Sequence, residues 1–513
     1  MTRNGRLVSW VLPLILLVAA VCICMPLMYP GFFVSDDGGW MIIRLSAFYQ
    51  SLRDGQFPVR FLGRLNFGYG YPVANFLYPG FLYIGSFIHI LGFRFIDTVK
   101  LLLGGSVIAG ALFTYLWLKK YFDGLPSLIG SAGFILAPYL LFDIYHRGSV
   151  GEVLAIAVAG SGLYAIKSRN RWLFGLVVPL LILSHNTLAL LFLALYAVYI
   201  TFLGLWPEFW LMFGTGVGMA AFFWLPAIYE RKFVVFDMTA VANPRDYFIS
   251  PTNIALLGIP GIAAGFVSLF VRKELQKEKV LFLGTMILTL FLVLPVSAFI
   301  WNLNVLAHII QFPYRFLSLT IFAGAWLTAY VTQYVKNTGR ILLICLFVSI
   351  GVWTAASALN SVAPVGEPEG FYTTNEATTT VADEYMPIWV ATKPATHAAD
   401  RFLFYKGRGV IHENYMNTSF IDITVQAAEE SVVQINTVYY PGWGATMDDT
   451  KVRIDYTNSE GVIRIHVPAG QHHLVVAFRE TISRFLADIL SLCSLVFYVV
   501  LLVAGRYTKR KKS

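Results

Sequence analysis

Apolar residues come along this chain in long runs of roughly 15–22, separated by short polar joints, and a helix needs roughly 20 apolar residues to cross a bilayer. The first run, Leu7 to Met28, follows Thr2-Arg-Asn-Gly-Arg6. It is too long for a signal-peptide core and no small-x-small cleavage site stands out, so it predicts a retained first span. Later runs fall at about 97–118, 124–142, 150–166, 171–184, 186–204, 208–226, 252–271, 280–300, 316–335, 340–358 and 483–505. The pattern predicts twelve spans. Asn75 to Phe95 is apolar enough to be a thirteenth, but counting it would invert every later loop. It predicts a re-entrant or interfacial piece, which is tolerated where backbone is buried in protein.

Two polar regions are too long to be turns. In the first, Tyr29 to about Pro72, the residues Met41, Leu45, Phe48 and Leu52 recur at helical spacing, with Arg44 and Arg53 on other faces. That spacing predicts a short amphipathic helix along the membrane surface. In the second, period-two alternation marks Phe420–Val425, Val432–Ile435, Val452–Tyr456, Val462–Val467 and Leu474–Phe478, with turn residues between them. Alternation at this spacing predicts a small β-sandwich. The expected domains are 1–358, a transmembrane domain with the outer loop 29–75; 359–482, a β-rich extracytoplasmic domain; and 483–513, a final span with a basic tail.

Composition agrees with the pattern. Of the 513 residues 57% are hydrophobic and 13% charged, against roughly 45–50% and 25% in soluble domains. A soluble enzyme, a coiled coil and a disordered hub are excluded. The net charge of +9 would suit nucleic acid only if the cations were gathered in one patch. Instead 18 Lys and Arg sit in six short clusters between apolar runs, beside only four acids, for a net +14. The clusters are Arg3/Arg6, Lys119/Lys120, Lys167–Arg171, Arg272–Lys279, Lys336/Arg340 and Arg506–Lys512. The rest of the chain carries a net −5. The positive-inside rule then places both termini in the cytoplasm and both long polar regions outside the plasma membrane, and no nucleic-acid partner is expected. The four cysteines all lie in apolar runs, with neither a disulfide framework nor zinc spacing.

Polar groups at the outer ends of spans are costly unless they serve something. Asp36 and Asp37 follow the first span; two adjacent carboxylates beside apolar walls suit a general base, or an Asp there caps the next helix. In Asp143–Glu152, Ser149-x-x-Glu152 forms a capping box. His146 and Arg147 stand just before a helix N-terminus that favours an anion, so either a phosphate binds there or Arg147 pairs with Asp143 or Glu152. Ser184-His185-Asn186 lies at the next outer turn and is a structural turn or a ligand site. Gln311-Phe-Pro-Tyr-Arg315 opens a span, where Arg315 opposes the helix dipole unless an anion lies close, or else anchors at the interface. Acid/base groups and anion sites therefore share one membrane face, as a phosphate-bearing lipid substrate would require. No Gly-rich nucleotide loop is present, which disfavours a nucleotide-activated donor.

At these residues the chain resembles a family. Ser35-Asp-Asp-Gly-Gly-Trp-Met-Ile-Ile-Arg-Leu45, Asp54-Gly-Gln-Phe-Pro-Val-Arg60 and Phe67-Gly-Tyr-Gly-Tyr-Pro72 look like bacterial membrane proteins labelled 6-pyruvoyl-tetrahydropterin-synthase-related, similar to the YfhO-like members of the GT-C glycosyltransferase superfamily. His146–Glu152, Ser184–Asn186, Gln311–Arg315, Glu384-Tyr-Met-Pro387 and Tyr440-Pro-Gly-Trp443 continue the likeness over nearly the whole chain. The resemblance implies a GT-C-like polytopic fold and an enzyme passing a sugar from a polyprenyl-phosphate carrier to an extracytoplasmic glycan, lipid or protein. It implies Asp37 as the base with Asp36 beside it, and Arg44, His146, Arg147, Glu152, His185, Asn186, Gln311 and Arg315 as the substrate and phosphate site. Relatives often carry His just before this Asp and four residues after it; Asp36 and Met41 stand there instead, which weakens a His-bound metal. No cofactor is certain, a divalent cation being one option. A lipid-glycan transporter predicts charges buried mid-span and repeated broken helices, and neither is evident. A non-catalytic glycan-binding or envelope-assembly protein remains open.

Overall fold

The computed structural model describes residues 3–236, 243–303 and 305–510; Lys511 and Lys512 of the basic tail lie outside them. Every expected apolar run holds a helix or a bent pair of helices. Phe95–Leu118, Val150–Lys167, Pro313–Tyr334, Asn337–Asn360 and Ile482–Gly505 are each long and apolar enough to cross a membrane. Three more candidates are pairs bent by 41°, 62° and 80°: Gly124–Ile135 with Pro138–Arg147, Glu208–Met219 with Ala221–Phe233, and Gln276–Val293 with Pro295–Trp301. Val11–Ile23, Arg171–Ser184, Asn186–Phe202 and Ile259–Phe270 are shorter apolar helices. The chain is a multi-pass membrane protein. Within Asn75 to Phe95 only Gly80–Ile90 is helical, 11 residues; at ~1.5 Å per residue it reaches about half the hydrocarbon thickness.

Among the described residues the strands, in chain order, are β1 (Phe32–Phe33), β2 (Pro364–Val365), β3 (Phe402–Lys406), β4 (Gly409–Met416), β5 (Phe420–Ala427), β6 (Ser431–Val438), β7 (Trp443–Met447), β8 (Thr450–Val452), β9 (Val462–Val467) and β10 (Gly470–Phe478). Two antiparallel sheets, β4-β5-β10-β7-β8 and β3-β6-β9, pack face to face as a β-sandwich just before the last helix. Ile421, Ile423 and Val425 alternate inward from β5 and meet Val433, Ile435, Ile463, Ile465 and Val476. Burial of each such side chain contributes about 1.5–3 kcal/mol. Four of the expected strands are there, as β5, β6, β9 and β10. Of Val452–Tyr456 only the first residue is in a strand, β8, and Asp455 makes a lone bridge to Arg464. Strand β4 gave no signal because it is an edge: most of its residues are exposed, so neither face had to be apolar.

Residues between Asn360 and Phe402 are not part of the sandwich. They form a strap with β2 and a short helix, Glu369–Thr374, laid over the loop that follows the first apolar run. β2 pairs with β1 in the register Phe32↔Val365. The strap changes the reading of the amphipathic helix. Helix Gly38–Arg53 is buried without interruption from Met41 to Phe48, between Glu369–Thr374 on one side and Gly80–Ile90 and Phe95–Leu118 on the other. It is a core helix rather than a surface one. Its polar Arg44 and Ser46 are satisfied by Thr379 and the Tyr372 carbonyl of the strap.

Candidate active site

The site begins with a close approach of two backbones. A π-turn, Phe142–Arg147, ends at Gly148 in the left-handed region, φ 64°. A Cβ on Gly148 would fall 2.7 Å from the Gly38 Cα. That contact lets the loop after the first apolar run hydrogen-bond to the turn: the Asp36 N–H donates to the His146 carbonyl (2.9 Å) and the Asp37 N–H to the Arg147 carbonyl (2.8 Å). Gly148→Ala is expected to cost about 1–3 kcal/mol, from the φ and the lost space together; a thermal melt of the purified chain against wild type measures it.

The two carboxylates diverge from there. Asp36, 58% exposed, meets His146 (65% exposed) at 3.3 Å through Nδ1. Asp37, 31% exposed, turns inward, its Oδ2 3.7 Å from Arg147 Nη2. Asp37 occupies the N-cap of helix Gly38–Arg53, but its side chain makes no capping bond. Both line a cavity of about 550 Å³ with Trp40, Arg44, Arg147, His185, Asn186, Gln311 and Arg315. The strap closes it with Thr380, Glu384 and Tyr385. Burial, and then the Glu384 carboxylate, push the Tyr385 hydroxyl up to about 12, so at neutral pH it is an O–H donor on the wall.

Behind the cavity lies Glu152, 0% exposed. Its Oε1 accepts from Arg147 Nη1 (2.5 Å) and Arg315 Nε (2.9 Å), and its Oε2 from the Tyr139 hydroxyl (3.0 Å). Arg147 Nη1 also donates to Asp143 (3.0 Å). Arg315 Nη1 donates to the Ile310 carbonyl (2.8 Å) and Gln311 Oε1 (2.7 Å). His185 Nδ1 accepts from the Leu188 N–H (3.3 Å), which leaves the proton on Nε2, 3.5 Å from Glu152 Oε1. Asn186 donates to the Phe76 carbonyl (3.3 Å).

All ten residues singled out in the sequence thus converge, eight on the cavity and two next to it. His146 stands at its rim on Asp36, and Glu152 lies beneath the arginines. Two readings change. The capping box does not form: Ser149 makes no side-chain cap, because two buried guanidiniums bind Glu152 with charge-assisted bonds stronger than a neutral N–H. The anion that Arg315 requires is Glu152 itself, 163 residues away in sequence. The sequence reading gave no role to Tyr139, Tyr385 or Thr379. Of the motif Glu384-Tyr-Met-Pro387, Glu384 and Tyr385 line the cavity.

Arg44 differs from the other two arginines. It is buried, yet its partners are neutral: Thr379 Oγ1 (3.0 Å), the Thr379 carbonyl in a short bond, and Met41 Sδ (3.8 Å). Among the described residues it makes no ion pair. Nor do these hold any group of three or more His, Cys, Asp or Glu set to bind a metal.

No protein-family model matches the sequence, and no curated protein does. Among solved structures the chain is similar to the mycobacterial arabinofuranosyltransferase AftD, at 16% identity and TM-score 0.47, over 67% of this chain and 26% of that one. It is similar to ArnT from Cupriavidus metallidurans bound to undecaprenyl phosphate, at 12% and 0.44, over 71% and 68%. It is also similar to the oligosaccharyltransferase AglB from Archaeoglobus fulgidus in complex with an inhibitory peptide and a dolichol-phosphate, at 13% and 0.39, over 71% and 56%. The chain spans about a quarter of the length of the arabinofuranosyltransferase.

Proposed function

We propose that the chain is a GT-C-type glycosyltransferase that moves a sugar from a polyprenyl-phosphate carrier to an acceptor hydroxyl outside the plasma membrane. The observation that carries the reading is Arg44, a buried guanidinium on the cavity wall whose partners among the described residues are all neutral. A buried charge is costly without a counter-charge, and a phosphate group in the cavity supplies one. Asp37 lines the same cavity and is open enough to meet a substrate hydroxyl.

The chemistry divides between these groups. As the acceptor oxygen attacks the anomeric carbon, Asp37 takes its proton. The bond from that carbon to the carrier phosphate breaks, and the electron pair leaves on phosphate. Arg44 meets the charge that develops there, where fixed cations act most strongly. Glu152 and Asp143 hold Arg147 in place beside it, and Glu152 and Gln311 hold Arg315. The outward-facing assignment is supported by helix polarity. Helix Val150–Lys167 starts at the site and ends at Lys167, which pairs with Glu278 of another basic joint at 3.6 Å; the span from Pro313 runs from Arg315 toward Lys336. Acid/base groups and cationic joints therefore lie at opposite helix ends.

The test uses the full chain in lipid nanodiscs with a panel of polyprenyl-phosphate sugars, reading polyprenyl phosphate released. Wild type is expected to turn over at least one donor, and Arg44→Gln to lower kcat about 10²-fold or more. No turnover with any donor, or full activity in Arg44→Gln, overturns the reading.

A further inference from the structure

We infer that a second cavity, adjoining the first at Asp36 and Trp40, is the acceptor site and takes a neutral or amino sugar; the inference rests on the glycosyltransferase reading above. This cavity, about 360 Å³, is lined by Phe32, Phe33, Trp40, Glu367, Phe371 and Asn375 among others. Only Asp36 and Trp40 belong to both cavities, so these two residues are the seam between them. The two sides differ in charge. The first cavity is lined by three arginines together with the carboxylates Asp36, Asp37 and Glu384, whereas among the described residues the second has the carboxylates Asp36 and Glu367 and no Lys, Arg or His. A phosphate finds guanidiniums only in the first, and the second repels it. Aromatic faces beside a few acids and amides suit a polyhydroxylated ring, with its C–H faces on the rings and its hydroxyls or amine on the polar groups.

The walls are held in place without a ligand. β1 and β2 pair from Phe32↔Val365, and the Val34 N–H donates to the Ala363 carbonyl (2.9 Å). Glu369, on the same short helix as Phe371, accepts from the Phe95 and Ile96 N–H groups (2.5 and 3.3 Å), which pins it to the start of helix Phe95–Leu118. Phe371 itself is 43% exposed, an apolar ring left facing the opening. A sugar seated here brings a hydroxyl to the Asp36 edge, one residue from Asp37. The acceptor C–O bond forms at the donor anomeric carbon, the hydroxyl proton passes to Asp37, and the donor C–O bond breaks with its electrons on phosphate.

The test is saturation-transfer NMR on the full chain in nanodiscs with methyl glycosides of a neutral hexose, a 2-amino hexose and a hexuronic acid. The neutral and amino sugars are expected to bind wild type, and the uronate about tenfold or more weakly. Phe371→Ala is expected to weaken the neutral sugar about tenfold, and Glu367→Lys to remove preference for the amino sugar. Both side chains are exposed, so the fold survives either change. Equal binding by wild type and Phe371→Ala, or a uronate bound as well as the neutral sugar, overturns the cleft while the donor reading stands. Donor turnover by wild type is read in parallel; its absence overturns the glycosyltransferase reading and the acceptor assignment with it, even where sugars bind.

Discussion

Asp37→Asn is expected to lower the rate of sugar transfer about 10³-fold, within the roughly 10²–10⁴-fold contribution of a positioned general base. The substitution keeps size and shape, and the Asp37 N–H stays on the Arg147 carbonyl. Its side chain makes no capping bond that the fold would lose. The loss therefore falls on chemistry rather than on folding. Donor binding should persist, because Arg44 remains, so the effect appears in kcat and not in donor KM. Single-turnover release of polyprenyl phosphate from preloaded protein measures the step directly. Asp36→Asn should lose less, since Asp36 is more exposed and meets His146 at the rim. Equal single-turnover rates for wild type and Asp37→Asn would remove Asp37 as the base.

The sequence made the helices and the site's side chains visible for different physical reasons. Hydropathy is local and additive, so every expected apolar run holds a helix, and three of the candidate spans bend at breaks next to Pro138, Ala220 and Pro295. The site residues were legible because a charge at the end of an apolar run is too costly to be idle. Their partners were not legible, because pairing is a property of the fold. Arg44 meets Thr379 across 335 positions and Arg315 meets Glu152 across 163. The capping box misled for that reason: Ser149-x-x-Glu152 is a sound local rule that a distant guanidinium overrides. The surface helix was misread in the same way. Its apolar stripe is real, but the strap that buries its other faces has no periodicity to announce it. The second cavity was equally hidden, since it exists only where residues 32–43 and 365–377 come together.

Glu152→Ala is expected to be the most destabilising single change in the helical domain, by about 3–5 kcal/mol, the cost of breaking a buried ion pair from one side. Glu152 lies between Arg147 and Arg315, accepts from Tyr139 and faces His185. Removing the carboxylate leaves two guanidiniums buried: Arg147 keeps Asp143 and, at 3.7 Å, Asp37, while Arg315 loses its ion pair. It also opens a space where Tyr139, Arg147, His185 and Arg315 converge. Glu152→Gln keeps the volume and one acceptor oxygen, so it is expected to recover part of the stability but not the activity, because a neutral amide cannot orient both arginines toward a phosphate. Unfolding midpoints in matched mixed micelles, read beside donor turnover, separate the two effects. Stability restored by Gln without turnover is the expected pairing. Full turnover in Glu152→Gln would mean that the arginines need only a space-filling neighbour, and would move the charge argument onto Asp143. The contrast matters because Arg44 is built the opposite way: among the described residues it has no carboxylate partner to lose, so its truncation should spare stability and remove activity. Two arginines are held by the protein's own anion, and the third, Arg44, is without such a partner among the described residues, so it is the guanidinium left for a phosphate to pair with.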